Sequence, residues 1–156
     1  MKKISTLVYF ILVSQLAGVI GSFFTVTGIE SWYMGLNKPF FNPPNWIFGP
    51  MWIILYCLMG LAAYFVYLKR REKYLAKYAN ILFFIHLVLN GLWSIIFFGL
   101  KNPSIAFFEI IILWILIFVL LVIYFQVDKR SFYLFIQYIL WVSFAAMLNF
   151  SIWQLN

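Results

Sequence analysis

The chain has 156 residues, of which 66% are hydrophobic and 10% charged, with a formal net charge of +7 and a mean hydropathy of +1.00. So little charge cannot cover the surface of a soluble domain, which leaves the bilayer as the natural solvent. The positive excess does not read as nucleic-acid binding, because the cations lie in short segments between long apolar runs, where they set topology.

Five apolar runs follow in chain order, at 4–27, 47–68, 78–100, 104–126 and 132–155. Each can cross roughly 30 Å of hydrocarbon at 1.5 Å per residue, and none alternates like a barrel strand. The predicted fold class is all-α: one domain over 1–156, an integral membrane bundle of five transmembrane helices. The first run follows Lys2 and Lys3 but is long for a signal peptide, so a retained helix rather than a cleaved leader is expected. Its Ser14, Gly18 and Ser22 form a small-residue stripe suited to a close helix contact.

A break is predicted at Gly28-Ile29-Glu30-Ser31, and a proline-rich loop at Lys38 to Pro44. Gly49-Pro50 marks the start of the second run, which carries Cys57. A single cysteine excludes an internal disulfide or a multi-cysteine metal site, and reads as core packing. After the basic turn Lys69 to Lys73, the third run sets His86, Asn90 and Trp93 on one helical face. Asn102-Pro103 makes a turn, with Pro103 suited to a first helical turn. In the fourth run Glu109 is ionisable, and three readings stay open: a functional group, a snorkelling carboxylate, or a partner for Lys101. A short sterol-type pattern, Val122 to Lys129, is of a kind common by chance. Asp128 to Ser131 precedes the fifth run, which carries Trp141, Ala145, Leu148 and Asn149 along one stripe.

With the N-terminus in the cytoplasm, Lys2, Lys3, Lys69, Arg70, Arg71, Lys73, Lys77, Lys129 and Arg130 lie inside. Only Lys38 and Lys101 lie outside, a bias expected of a bacterial plasma-membrane protein whose C-terminus is outside. Helical rise then puts Asn90 about 15 Å below the outer surface, Trp93 and Asn149 about 10 Å, Glu109 and Trp52 about 9 Å, and Trp141 nearer the middle. Alone, each of these residues also reads as interhelical glue or an interfacial anchor. Their convergence predicts a pocket in the outer half, roofed by residues 31–48.

Several motifs carry a family resemblance: Trp32-Tyr33, Leu36-Asn37-Lys38-Pro39, Pro43 through Trp52, Leu89 through Trp93, Trp141 through Asn149, and Ile152 through Asn156. In order and spacing, along essentially the whole chain, they resemble the TspO/MBR family of translocator and tryptophan-rich sensory proteins. The resemblance implies a five-helix bundle, usually a homodimer, that binds porphyrins and other bulky apolar ligands under the first loop, with no tightly bound cofactor. By position, the implied ligand-binding residues are Trp32, Tyr33, Pro43, Phe48, Trp52, Asn90, Trp93, Trp141, Ala145, Leu148 and Asn149. Lys38 would meet porphyrin carboxylates near the mouth.

The resemblance makes a receptor or sensor the first reading, with two alternatives. One is a transporter of the same ligands. The other is a light-dependent porphyrin-degrading enzyme in which Trp52 and Trp141 are redox-active. No nucleophile–base pair, metal cluster or phosphate loop points to ordinary catalysis. The expected partners are membrane lipid and the apolar ligand, not nucleic acid. Two departures stand out. Gln137-Tyr138 replaces the family's Pro-Tyr, removing a kink. Asn149 to Asn156 does not match the animal cholesterol-recognition segment, so sterol binding is not carried over.

Overall fold

The computed structural model describes residues 2–156; the side chains of Lys2, counted above among the inside cations, and Glu30, in the expected break, lie outside that description. An apolar segment in hydrocarbon must satisfy its backbone internally, and the described residues do so with long helices. These are α1 (Lys2–Ser31), α2 (Phe48–Leu68), α3 (Tyr74–Ser94), α4 (Pro103–Val127) and α5 (Lys129–Leu155). All five are long and apolar enough to cross a membrane.

The helix ends differ from the expected bounds for local reasons. α1 runs straight through Gly28 to Ser31, where a break was expected. Gly28 serves a close approach instead: a Cβ there would lie 2.7 Å from the Phe98 Cβ. α3 starts at Tyr74 rather than 78, and α5 at Lys129 rather than 132. Asp128 explains the second shift, because it ends α4 and caps α5, accepting from the Arg130 backbone N–H at 2.9 Å. The Arg130 guanidinium also donates to this carboxyl and holds it below the usual carboxylate range. Lys73 covers the exposed end of α4 by donating to Gln126 O at 2.6 Å and Val127 O at 2.9 Å. Asn102 caps α4 through Ile105 N–H at 3.0 Å, with Pro103 in the first turn as expected.

Around the bundle the helices neighbour one another in the order α1, α2, α5, α4, α3, closing back on α1. The central filling is aromatic, with Phe83, Tyr124, Phe135 and Tyr138 fully buried between α3, α4 and α5. α1 is the loosest member, burying 17% of its most apolar stretch against 39–44% in the others. Near the basic end it touches α2 backbone to backbone at Gly60, where a Cβ would come within 2.8 Å of Ile11 Cα and Phe10 O. Gln15 crosses the same seam, donating to Ile53 O and to Cys57 Sγ, each at 3.0 Å. Cys57 therefore accepts a hydrogen bond as well as packing. α5 continues unbroken through Gln137, whose side chain faces outward.

A π-helical turn, Ile95–Gly99, follows α3. It inserts a wider step into the helix, so that the consecutive residues Ile96, Phe97 and Phe98 are all buried. The turn closes with Lys101 in a left-handed conformation, φ 53°.

Candidate ligand-binding site

The loop between α1 and α2 folds over one end of the bundle, opposite the basic turns, and is held at three places. Tyr33 is buried, with its ring 6.2 Å from Phe97 and 5.8 Å from Phe98. Its hydroxyl donates to Asn42 Oδ1 at 2.6 Å, and burial pushes the phenol up to about 12. Asn37 is bracketed by Asn156: its N–H donates to Asn156 Oδ1 at 3.0 Å, and Asn156 Nδ2 returns to Asn37 O at 3.0 Å. Phe41 lies on Phe144 at 6.2 Å. Lys38, expected to meet a ligand carboxylate, instead folds back and donates to Met34 O and Leu36 O, both at 3.1 Å.

Beneath the loop, the structure brings most of the expected residues together. Tyr33, Phe48, Trp52, Trp93, Trp141, Ala145, Leu148 and Asn149 line one pocket, joined by Thr25, Phe97, Phe98 and Ile152. Trp32, Pro43 and Asn90 do not line it. Trp32 packs on Phe97 from outside, at 5.6 Å. The pocket is nearly filled by its own walls: Trp93 stacks on Phe97 at 5.1 Å, and Phe48 meets Trp141 at 6.3 Å. Its free volume is about 30 Å³, room for about one or two waters. A ligand of drug size needs roughly 300 Å³ or more.

The two asparagines each use both the oxygen and the nitrogen of the amide. Asn149 Oδ1 accepts from the Trp93 indole at 3.0 Å, while its Nδ2 donates to Pro103 O at 2.7 Å. Asn90 Oδ1 accepts from the Tyr56 hydroxyl, and its Nδ2 donates to the Tyr138 hydroxyl at 2.8 Å. Both amides tie helices together, the role polar side chains commonly take in a membrane bundle.

The larger space lies beside this pocket, between α1 and α2. A cleft of about 450 Å³ opens there, and it shares Thr25, Phe48 and Trp52 with the filled pocket. Phe48, Trp52 and Tyr56 of α2 form one wall, with Trp52 and Tyr56 5.6 Å apart. Gly18, Gly21 and Ser22 of α1 form the opposite one, and Trp46 stands at the loop end. Polar groups are few and uncharged: chiefly Gln15, Thr25, Asn45 and Ser94. The α1 side was missed by residue-by-residue reading, although the small stripe Ser14, Gly18, Ser22 was its visible trace. Phe97 and Phe98 were missed because only the π turn brings both inward.

These features, a five-helix ring with an aromatic pocket under the first loop, can be set beside known proteins. The sequence profile of the TspO/MBR family matches residues 10–154. The chain belongs to the TspO/MBR family. It is 41% identical over 154 residues to the tryptophan-rich protein TspO of Archaeoglobus fulgidus, with 99% of each chain covered. It is 36% identical over 149 residues to the protein CrtK of Rhodobacter capsulatus, covering 96% of this chain and 91% of that one. Identity to the translocator protein of Homo sapiens is 31% over 150 residues, covering 94% and 88%. As a TspO/MBR protein with five membrane-length helices, the chain is an integral membrane protein of the sensor and translocator type.

Other residues singled out in the sequence find different places in this TspO/MBR bundle. Glu109 is buried with neither carboxyl oxygen hydrogen-bonded, so it neither snorkels to the surface nor pairs with Lys101. His86 lies among Phe83, Phe135 and Tyr138, its Nδ1 2.9 Å from Phe83 O. No group of three or more His, Cys, Asp or Glu side chains is placed to hold a metal among the described residues.

Proposed function

We propose that this TspO/MBR protein is a membrane receptor for flat, bulky apolar ligands of the porphyrin class. The ligand lies in the α1–α2 cleft, with Trp52 as the wall shared with the inner pocket. The carrying observation is volume: the cleft offers about 450 Å³ against about 30 Å³ in the tryptophan pocket. An uncharged cleft faced by indole, phenyl and phenol rings suits the face of a macrocycle. The mouth under the first loop leaves the carboxylate edge near Asn45 and the water interface. Tyr56 connects the cleft to Asn90 and, through it, to Tyr138 on α5. Ligand contact with α2 is thereby linked to α3 and α5. The basic turns at the other end favour the cytoplasmic side of a bacterial plasma membrane.

The test is quenching of tryptophan fluorescence as protoporphyrin is titrated into detergent-purified protein. Saturable binding is expected, weakened roughly tenfold, or about 1.4 kcal/mol, by Trp52→Ala. Asn90→Ala, which frees Tyr56, should weaken it less. Non-saturable quenching, or affinities equal in all three proteins, would remove the receptor reading. The photochemical alternative has one supporting observation, that Trp52 and Trp141 line the same narrow pocket. Illumination of bound porphyrin in wild type and Trp141→Phe separates it from simple binding.

A further inference from the structure

A second cavity, of about 430 Å³, lies at the basic end, far from the tryptophans, where α1, α2 and α3 meet. Its floor is aromatic: Phe10 lies 6.1 Å from Phe84 with the rings close to parallel, and 5.2 Å from Tyr67. One polar group in its lining is unusual. Asn80 Nδ2 donates to Ala76 O at 2.6 Å, but Asn80 Oδ1 is buried without a partner. A buried acceptor left unpaired is unfavourable, so a donor arriving with a ligand is strongly favoured there.

Two cations lie within one helical turn, along the chain, of residues that line it. The Arg70 guanidinium stacks 3.6 Å above the Tyr67 ring, and exposed Lys77 precedes Asn80 on α3 by one turn. The neighbouring acids are already used, Glu72 by Lys69 and Asp128 by Arg130. Arg70 and Lys77 therefore have no carboxylate partner among the described residues.

We propose that this cavity is a site for an anionic single-chain glycerophospholipid. The phosphate sits at Arg70 and Lys77, and the acyl chain lies on Phe10, Tyr67 and Phe84. The free glycerol hydroxyl donates to Asn80 Oδ1. The spacing selects the single-chain form: Asn80 is about 5 Å deeper than Lys77, where a diacyl lipid presents ester oxygens, which only accept. A monoacyl lipid has a hydroxyl at that depth. This site is independent of the porphyrin reading.

The experiment is native mass spectrometry of the full chain in detergent, titrated with palmitoyl lysophosphatidylglycerol, together with thermal melting. Expected are one bound lipid per chain and a raised melting temperature. Lysophosphatidylcholine and dipalmitoyl phosphatidylglycerol should bind at least about fivefold more weakly. Asn80→Ala should erase the preference for the monoacyl form, and Arg70→Gln with Lys77→Gln the preference for the anion. Phe84→Trp, which keeps an aromatic ring but narrows the cavity, should weaken binding of the lipid. Size-exclusion profiles like that of the wild type show which variants are folded. Equal binding of all three lipids, or a folded Phe84→Trp protein that binds the lipid as tightly as the wild type, would overturn the proposal and leave only annular lipid.

Discussion

At the scale of single residues, Tyr33 joins the loop to the bundle by two different forces. Its ring is held by Phe97 and Phe98 and its hydroxyl by Asn42. Because burial pushes the phenol from 10.0 to about 12, the folded protein keeps this proton longer than the unfolded chain does. The contribution is therefore complete below pH 10 and declines as pH rises from about 10 to 12. Thermal melting across that range should fall for the wild type and fall less for Tyr33→Phe. At neutral pH the variant should lose about 1 kcal/mol. Equal alkaline slopes would show that Tyr33 does not carry the effect. Asn90 and Asn149 were legible in the sequence only in part. Their depth and face were legible, since amides in hydrocarbon must turn inward. Their partners were not, because Tyr56, Tyr138, Trp93 and Pro103 come from distant segments.

At the scale of elements, hydropathy and charge showed the five helices, and tertiary contacts decided their ends. Gly28 looked like a stop signal because glycine often ends helices, yet here it admits Phe98. The π turn carried no composition signal, as it depends on how Trp93, Phe97 and Phe98 pack against the loop. The α1–α2 seam gives a direct test. Gly60→Ala would press a methyl group against the α1 backbone, and should cost about 1–3 kcal/mol. Gly35→Ala, where a Cβ meets nothing within 4 Å, is the matched control. Thermal unfolding of the two variants in one detergent measures the difference, and equal melting temperatures would contradict the seam described here.

For the whole molecule, family motifs led to the loop end and to the tryptophan pocket, but not to the space a ligand needs. That space is created by α1, the most weakly buried helix, lying against α2 on small residues. The filled pocket and the open cleft meet at Trp52, which lines both. The proposed ligand chamber is the α1–α2 cleft. Protoporphyrin affinity of Ser22→Phe tests it, because the added ring narrows the cleft from the α1 side while every tryptophan is kept. Expected is at least about a tenfold loss of affinity with an unchanged melting temperature. Wild-type affinity in this variant would contradict it and return the ligand to the tryptophan pocket.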